Sequence, residues 1–455
     1  MLTYDLKKSP GVPLYEALYR CIRADILNGT LKPGQKLPSK RTLCANLKVS
    51  KITVETAYQQ LLEEGYLRSE EKIGYFVEAV DRPTPKTLFP QAPKHPTKEY
   101  IDLTQNTPAK FPFSVWSKLQ RQVVLDLGEK LLLPMPNQGL DRLRQAIAEH
   151  LWEFRGMQVD PQNILIGAGT DFLYNLLVQL LGREKCYAVE EPGYSKIRRI
   201  YNAAGASCVG VPLDKQGVRP EMLGNAQILH ISPSHHFPSG IITPLSRRQE
   251  LLGWAKEEPD RWIIEDDYDS EFRFAAHPLP AMQSLSADRV IYINTFSKTL
   301  APSIRISYMV LPQQLMELFR KNLGFYSCTV PSFEQHTLAR FLEAGHFEKH
   351  INRMRKFYKS QRNRLLSALN TCPFADKLSV LEEDAGLHFL LQVDTEMSDD
   401  ELVAYCEKSG ILVQSLCSFY STNTPADAKG KLVINYSGLT ESRLTALEEK
   451  LKSMR

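Results

Sequence analysis

Between residues 81 and 100 the chain reads DRPTPKTLFPQAPKHPTKEY, with Pro83, Pro85, Pro90, Pro93 and Pro96 in one stretch. Each proline fixes φ and removes an amide donor, so neither a helix nor a central strand can run through such a segment. It is predicted to be extended, and at about 3.1 Å per residue twenty such residues reach roughly 60 Å. The hydrophobic pattern differs on its two sides. The stretch is therefore predicted to be a linker (81–100) rather than a loop inside one domain. The 455 residues allow two to four domains at roughly 100–200 residues each.

Residues 1–80 carry a helical pattern. Leu14, Leu18, Ile22 and Ile26 recur every four positions and give one apolar face, and Asn28-Gly29 ends it. Pro33-Gly34 makes a turn, Ser39 is the predicted N-cap of a second short helix, and Ser50 that of a third. Gly65 ends the third helix, and Tyr66-Leu67-Arg68 and Gly74-Tyr75-Phe76-Val77 read as a small hairpin. The order predicts a winged helix-turn-helix over 1–80.

Such a module presents the start of its recognition helix to base edges and uses the preceding helix and the wing on the backbone. The candidate DNA-contacting residues are Ser50, Lys51 and Thr53, then Ser39, Lys40 and Arg41, and Lys72 at the wing tip. The charge supports this only modestly, with 12 Lys+Arg against 9 Asp+Glu in these 80 residues. The competing reading, a small helical protein-interaction module, draws on Glu63, Glu64, Glu70 and Glu71.

The stretch PLYEALYRCIRADILNGTLKPGQKLPSKRTLCANLKVSKITVETAYQQLLEEGYL resembles the GntR-type winged helix over its whole length. That resemblance implies DNA contact by Arg41 and by Ser50-Lys51-Ile52-Thr53-Val54. Lys51 departs from the arginine usual there and loses the planar fork that pairs with guanine.

Past the linker, short apolar strands alternate with amphipathic helices. Ile164-Leu165-Ile166 precedes the helical DFLYNLLVQLL, and Cys186 to Val189, Ile228 to Ile231, Trp262 to Ile264 and Val290 to Ile293 read as further strands. This rhythm predicts an α/β large domain (101–344) with its site at strand C-termini. A long helix from His346 to Leu369, followed by mixed elements, predicts a smaller α+β subdomain (345–455).

Four segments at strand ends carry chemistry. In Thr295-Phe296-Ser297-Lys298-Thr299, a lysine among small hydroxyls suits a Schiff base with an aldehyde cofactor. Glu265-Asp266-Asp267-Tyr268-Asp269 offers a carboxylate for a pyridine nitrogen and a phenol for a ring hydroxyl, and lacks the glycine and spacing of a calcium loop. Gly167-Ala168-Gly169-Thr170 suits a phosphate at a helix start, but Phe172 breaks the dinucleotide fingerprint. Glu191-Pro192-Gly193-Tyr194 brings an aromatic ring that can stack, and Arg305 is a candidate phosphate cation. Two adjacent histidines, His235 and His236, point apart in a loop, and no metal site is predicted.

These segments, in this order, resemble fold-type I aminotransferases. ISPSHHFPSGIITPLSRRQELLGWAKEEPDRWIIEDDYDSEF and VIYINTFSKTLAPSIRISYMVLP more closely resemble the MocR/GabR-type regulators, which fuse a GntR-type winged helix to an aminotransferase-like domain. The resemblance implies pyridoxal phosphate on Lys298, with Asp266 at the pyridine nitrogen, Tyr268 at the ring hydroxyl and Tyr194 stacked. It assigns Thr295, Ser297, Arg305, Gly169 and Thr170 to the phosphate. It also implies a head-to-tail homodimer.

Three departures stand out. Val433 occupies the position where such aminotransferases fork the substrate carboxylate with arginine. Lys196, Arg198 and Arg199 are the cations left to serve instead. His236 replaces a glutamine common among relatives, and Pro134–Gly139 lacks the tyrosine expected to reach a partner's phosphate.

The reading reached is a transcriptional regulator that binds double-stranded DNA and senses a small amine, an amino acid or pyridoxal phosphate itself. The alternatives are a working aminotransferase with a DNA-binding appendage, and a domain that has lost its cofactor and serves dimerisation. No apolar run approaches the roughly 18–20 residues that span a bilayer. The eight scattered cysteines contain no Cys-x-x-Cys pair and read as buried thiols in a reducing cytoplasm.

Overall fold

A computed structural model describes residues 2–4, 6, 12–79, 100–105, 110–272, 279–382, 386–421 and 424–453. The predicted linker lies outside the described residues except for Tyr100. Contacts divide the chain into two units, residues 1–97 and 98–455.

The first unit holds α1 (Leu14–Asn28), α2 (Lys40–Leu47), α3 (Lys51–Glu63), β1 (Leu67–Glu70) and β2 (Gly74–Val77). Gly29 closes α1 in the left-handed conformation that glycine adopts without steric cost. The Ser39 and Ser50 hydroxyls cap α2 and α3, accepting from the amides of Thr42 and Thr53. Leu18, Ile22, Leu43, Val54, Ala57 and Leu61 meet in one core. Leu14, at the first turn of the predicted apolar face, remains 46% exposed. The antiparallel β1–β2 pair is the wing.

The second unit begins with β3 (Ile101–Asp102), α4 (Phe113–Leu127), α5 (Asp141–Arg155), β4 (Ile164–Gly167), α6 (Thr170–Leu181), β5 (Cys186–Glu191), α7 (Ser195–Ala203), β6 (Ser207–Asp214) and β7 (Gly217–Val218). It continues through β8 (Ile228–Ile231), α8 (Leu245–Glu257), β9 (Trp262–Asp266), α9 (Met282–Leu285), β10 (Val290–Thr295), α10 (Phe296–Thr299), β11 (Ser307–Val310), α11 (Gln313–Asn322) and α12 (Ser332–Glu343). The smaller lobe follows with α13 (His346–Thr371), β12 (Leu378–Leu381), β13 (His388–Val393), α14 (Asp399–Lys408), β14 (Ile411–Leu412), β15 (Gln414–Ser415), β16 (Lys431–Asn435) and α15 (Glu441–Ser453).

The large sheet runs β4-β11-β10-β9-β8-β5-β6-β7. Its centre, β10-β9-β8-β5-β6, is parallel. β8, β9 and β10 are buried on both faces and read as largely apolar runs. β11 and β7 join antiparallel. The small sheet, β12-β13-β16-β15, is antiparallel throughout.

One segment differs from the sequence reading. Residues 101–103, placed with the large domain by sequence order, pair with the smaller lobe: β3 runs parallel to β14, and the Leu103 carbonyl accepts from the Asn435 amide. A two-residue strand carries no periodicity to read. The cysteines also differ. All eight are free, but only Cys372 and Cys406 are fully buried. Among the described residues no helix is long and apolar enough to cross a membrane.

Candidate functional site

The parallel strands β5, β8, β9 and β10 end on one side of the sheet. Their last residues and the turns after them supply Glu190, Ser232, Asp266 and Thr295 to one cavity of about 340 Å³. The cavity is also lined by Thr170, Tyr194, Tyr268 and Lys298. Six of the nine residues predicted for the cofactor therefore share one lining, although they span residues 170 to 298 in the chain.

The acidic run at the end of β9 is resolved by strand alternation, which sends successive side chains to opposite faces. Glu265 turns inward, accepts from the Met282 and Gln283 amides, and lies 4.0 Å from Arg248. Asp267, on the same face, pairs with Arg155 at 3.0 Å and accepts from the Tyr292 hydroxyl at 2.7 Å. Asp266 points into the cavity. Its Oδ2 accepts from the Tyr174 hydroxyl at 2.5 Å and lies 3.5 Å from His230 Nε2, while its Oδ1 is buried without a partner. His230 Nδ1 in turn meets the Tyr201 hydroxyl at 2.6 Å.

Lys298 sits in the short α10. Burial lowers its pKa, with Asp269 and Asp266 acting in the opposite sense, so a larger share of the amine is uncharged and nucleophilic than for a solvated lysine. The Tyr268 hydroxyl donates to the His235 carbonyl at 3.1 Å. Burial first, then Asp269 and Asp266, keep this phenol protonated. Tyr194, at the N-cap of α7, is 49% exposed and packs edge-on to Phe237 at 6.1 Å.

The other three predicted residues, Gly169, Ser297 and Arg305, lie off this lining. Gly169 has φ +90, and a Cβ there would come within 2.2 Å of Arg305 Nη2, so the turn admits only glycine. The Arg305 guanidinium lies 3.3 Å from the Ala168 carbonyl oxygen and 3.4 Å from Asp171. Ser297 Oγ is buried without a partner, and the Ser297 amide donates to the capping hydroxyl of Thr295. Gly169 and Arg305 meet beside the start of α6, and Ser297 follows Thr295 in the short α10.

Sequence reasoning missed Tyr174, His230 and Glu190. Each carried a signal. Tyr174 lies one helical turn after Thr170, His230 is a polar residue inside the otherwise apolar β8, and Glu190 is a carboxyl near the end of β5. Burial is the largest influence on Glu190 and raises it to about 8, so its carboxyl is largely protonated at neutral pH. The adjacent histidines do point apart: His235 Nδ1 lies 2.9 Å from Asp269, and His236 Nδ1 lies 2.7 Å from Ser239 Oγ. His235, Asp269 and His388 nevertheless form a buried cluster whose ligand-type atoms lie within 4.8 Å of one another.

The carboxylate readings need correction. Lys196 pairs with Asp171 at 2.6 Å, Arg198 engages Glu191 and Ser421, and Arg199 is exposed; none lines the cavity. Helical geometry turns these α7 side chains away, a direction that residue spacing alone did not reveal.

In the first unit, Ser39 and Ser50 act as helix caps. Lys40 is held by Glu55 at 2.6 Å, while Arg41, Lys51 and Lys72 are exposed and Thr53 is partly so. Exposed cations at the starts of α2 and α3 and at the wing tip suit nucleic-acid contact.

Comparison with known proteins agrees with both units. The family described as "Aminotransferase class I and II" matches residues 98–451, and "Bacterial regulatory proteins, gntR family" matches residues 14–77. The chain is 35% identical to the HTH-type transcriptional regulator YdeL of Bacillus subtilis, over 99% of both chains. It is 31% identical to the probable rhizopine catabolism regulatory protein MocR of Rhizobium meliloti, over 99% of this chain and 94% of that one. It is 33% identical to the pyridoxine biosynthesis regulator PdxR of Corynebacterium glutamicum, over 89% and 88%. Among solved structures, the kynurenine aminotransferase of Pyrococcus horikoshii superposes with a TM-score of 0.67 at 24% identity, covering 78% of this chain and 92% of that one. With a winged helix before the cavity-bearing unit and relatives of this architecture along its whole length, the chain belongs to the MocR-type HTH transcriptional regulators, which join a GntR-type reader to an aminotransferase-like domain.

Proposed function

We propose that this regulator holds pyridoxal phosphate on Lys298 and that a small ligand at that site changes its affinity for operator DNA. The observation that carries the reading is the facing pair in one cavity: a nucleophilic, burial-tuned Lys298 and an Asp266 whose Oδ1 is buried and unpartnered.

The donor set fits the cofactor. The bare Oδ1 of Asp266 suits a protonated ring nitrogen, and Tyr174 holds the carboxylate in place. Tyr268 is a neutral phenol with lone pairs free for a ring hydroxyl. Tyr194 offers an exposed ring face. The unpartnered Ser297 hydroxyl, the amides at the start of α6 beside Gly169 and Thr170, Thr295 and the Arg305 fork suit a phosphate. When bound, pyridoxal phosphate supplies an aldehyde that condenses with amines and a ring that draws electrons from them. Lys298 would hold the cofactor through its amine, Asp266 would keep the ring-nitrogen proton, and Tyr194 would pack against the ring.

A ligand alters DNA affinity only through its different affinity for two conformations. Residues 81–100 are the proposed tether between units 1–80 and 101–455, with 345–455 as the subdomain that moves. On the DNA side the reading assigns Arg41, Lys51, Thr53 and Lys72 to contacts, with Ser39, Lys40 and Ser50 positioning them. Exposed apolar side chains on and after α4, among them Leu125, Leu132 and Leu133, support a homodimer. A cytoplasmic location accords with eight free thiols. Sustained transamination is not expected, because Val433 is buried in an apolar cluster with Leu390, Leu416 and Ala428.

The test is absorbance of the purified protein after incubation with pyridoxal phosphate, with footprinting on DNA upstream of its gene. The wild type should gain a visible band that Lys298→Ala lacks, and only the wild type should change its footprint with cofactor. A wild type without the band refutes the cofactor, and a footprint unchanged by cofactor or amines refutes sensing.

A further inference from the structure

The cavity's lining restricts what can enter it. Among the described residues Lys298 is the only Lys or Arg on it, against the carboxyls of Asp266 and Glu190. Burial, followed by the neighbouring His235, lowers His236 to about 3, so this lining imidazole is neutral as well. The adjacent cations are taken up elsewhere: Lys196 with Asp171, Arg198 with Glu191 and Ser421, and Arg305, on the reading above, with the phosphate.

Part of the cavity wall is apolar instead, beside the uncharged polar side chains of Thr104, Gln105 and Asn435. Phe237 lines it and packs edge-on against Tyr194, His388 and Phe419 at 6.1, 5.0 and 5.3 Å. Behind Phe237 lies the Leu390–Leu416–Ala428–Val433 cluster, and Val189 and Ile197 add further apolar lining. A carboxylate brought here loses its water with no cation to meet it, whereas a ring or alkyl group gains by burial. The volume of about 340 Å³ is at the small end of ligand-sized sites, which run roughly 300–1,000 Å³.

We infer that the ligand read at this site is a primary amine with an apolar or aromatic body and no carboxylate, and that the site discriminates against α-amino acids. The inference rests on the reading that Lys298 holds pyridoxal phosphate. The amine nitrogen is directed toward Lys298 and the carboxyls, and the apolar body toward Phe237 and Ile197.

The experiment uses the full chain loaded with pyridoxal phosphate. 2-Phenylethylamine and L-phenylalanine, which differ only by the carboxylate, are titrated while the absorbance band and the heat of binding are recorded. The amine should bind at least about tenfold more tightly. Ile197→Arg, which adds a cation to the lining, should bring the ratio toward one by strengthening phenylalanine binding. Wild-type protein that binds phenylalanine as tightly as the amine, or that keeps its band and gives no heat with either, overturns the inference and leaves the cofactor reading standing. Protein that never acquires the band overturns the cofactor reading, and this inference with it.

Discussion

Replacing Arg155 with methionine tests how the acidic run at the end of β9 is tolerated. Arg155 Nη2 lies 3.0 Å from Asp267 Oδ2, with the two side chains 1% and 0% exposed. It also donates to Ser234 Oγ at 3.1 Å. Burial pushes the Asp267 carboxyl upward, but Arg155, then Tyr292 and the serine hydroxyls, outweigh it and hold the group below its usual 3.8. Methionine keeps the aliphatic length and removes the charge, which leaves a buried carboxylate without its cation. Breaking such a pair costs about 3–5 kcal/mol. At about 2 °C per kcal/mol for a unit this large, Tm should fall by roughly 6–10 °C.

The pH dependence has a definite sign. In the wild type Asp267 is depressed, so its contribution is present above 3.8 and is lost as pH falls through its lower folded value. Without Arg155, burial places the folded value above 3.8, so stability is lost as pH rises through that value. The assay is thermal melting by circular dichroism between pH 4 and 8, with Arg155→Met/Asp267→Asn as the rescue. A single variant that melts within about 2 °C of the wild type at pH 8, or a double variant no more stable than the single, refutes this reasoning.

Tyr174→Phe removes a 2.5 Å hydrogen bond to Asp266. Such bonds to charged groups are worth about 1.5–3 kcal/mol, so pyridoxal phosphate affinity, followed by absorbance titration, should weaken about tenfold or more; an unchanged Kd removes Tyr174 from the site. Glu190 is raised from 4.5 to about 8, so its contribution is full below pH 4.5 and is lost as pH rises through about 8. Glu190→Gln should flatten that part of the Tm–pH curve, with a residual slope from the similarly raised Glu271; a curve parallel to wild type counts against it. Ser50→Ala should cost the first unit about 1 kcal/mol through the lost cap. Arg41→Ala should leave its melting unchanged while weakening DNA binding and reducing the salt slope by about 1; a footprint equal to wild type would remove Arg41 from the interface.

Much of the fold was legible because its signals are local. The caps Ser39 and Ser50, the stop at Gly29, the β5, β8, β9 and β10 runs and the long α13 follow from propensity and periodicity over a few residues. The candidate site could be read where a residue type is unusual in its setting, as with Lys298 among hydroxyls and Asp266 at a strand end, and these two share one cavity lining. Ile101–Leu103 could not be read, because its pairing with Ile411–Leu412 joins positions three hundred residues apart through two-residue strands.

By itself, the sequence determined the two-part organisation, the element types and the reactive inventory, since each depends on neighbours along the chain. Tertiary structure alone decided which member of that inventory faces which. One acidic run was divided among Arg248, His230, Arg155 and His235 because strand alternation and packing, not spacing, direct each carboxylate. The same packing turned Lys196 and Arg198 away from the cavity and put Phe237 on its wall, so the lining is poor in cations although the chain around it is not.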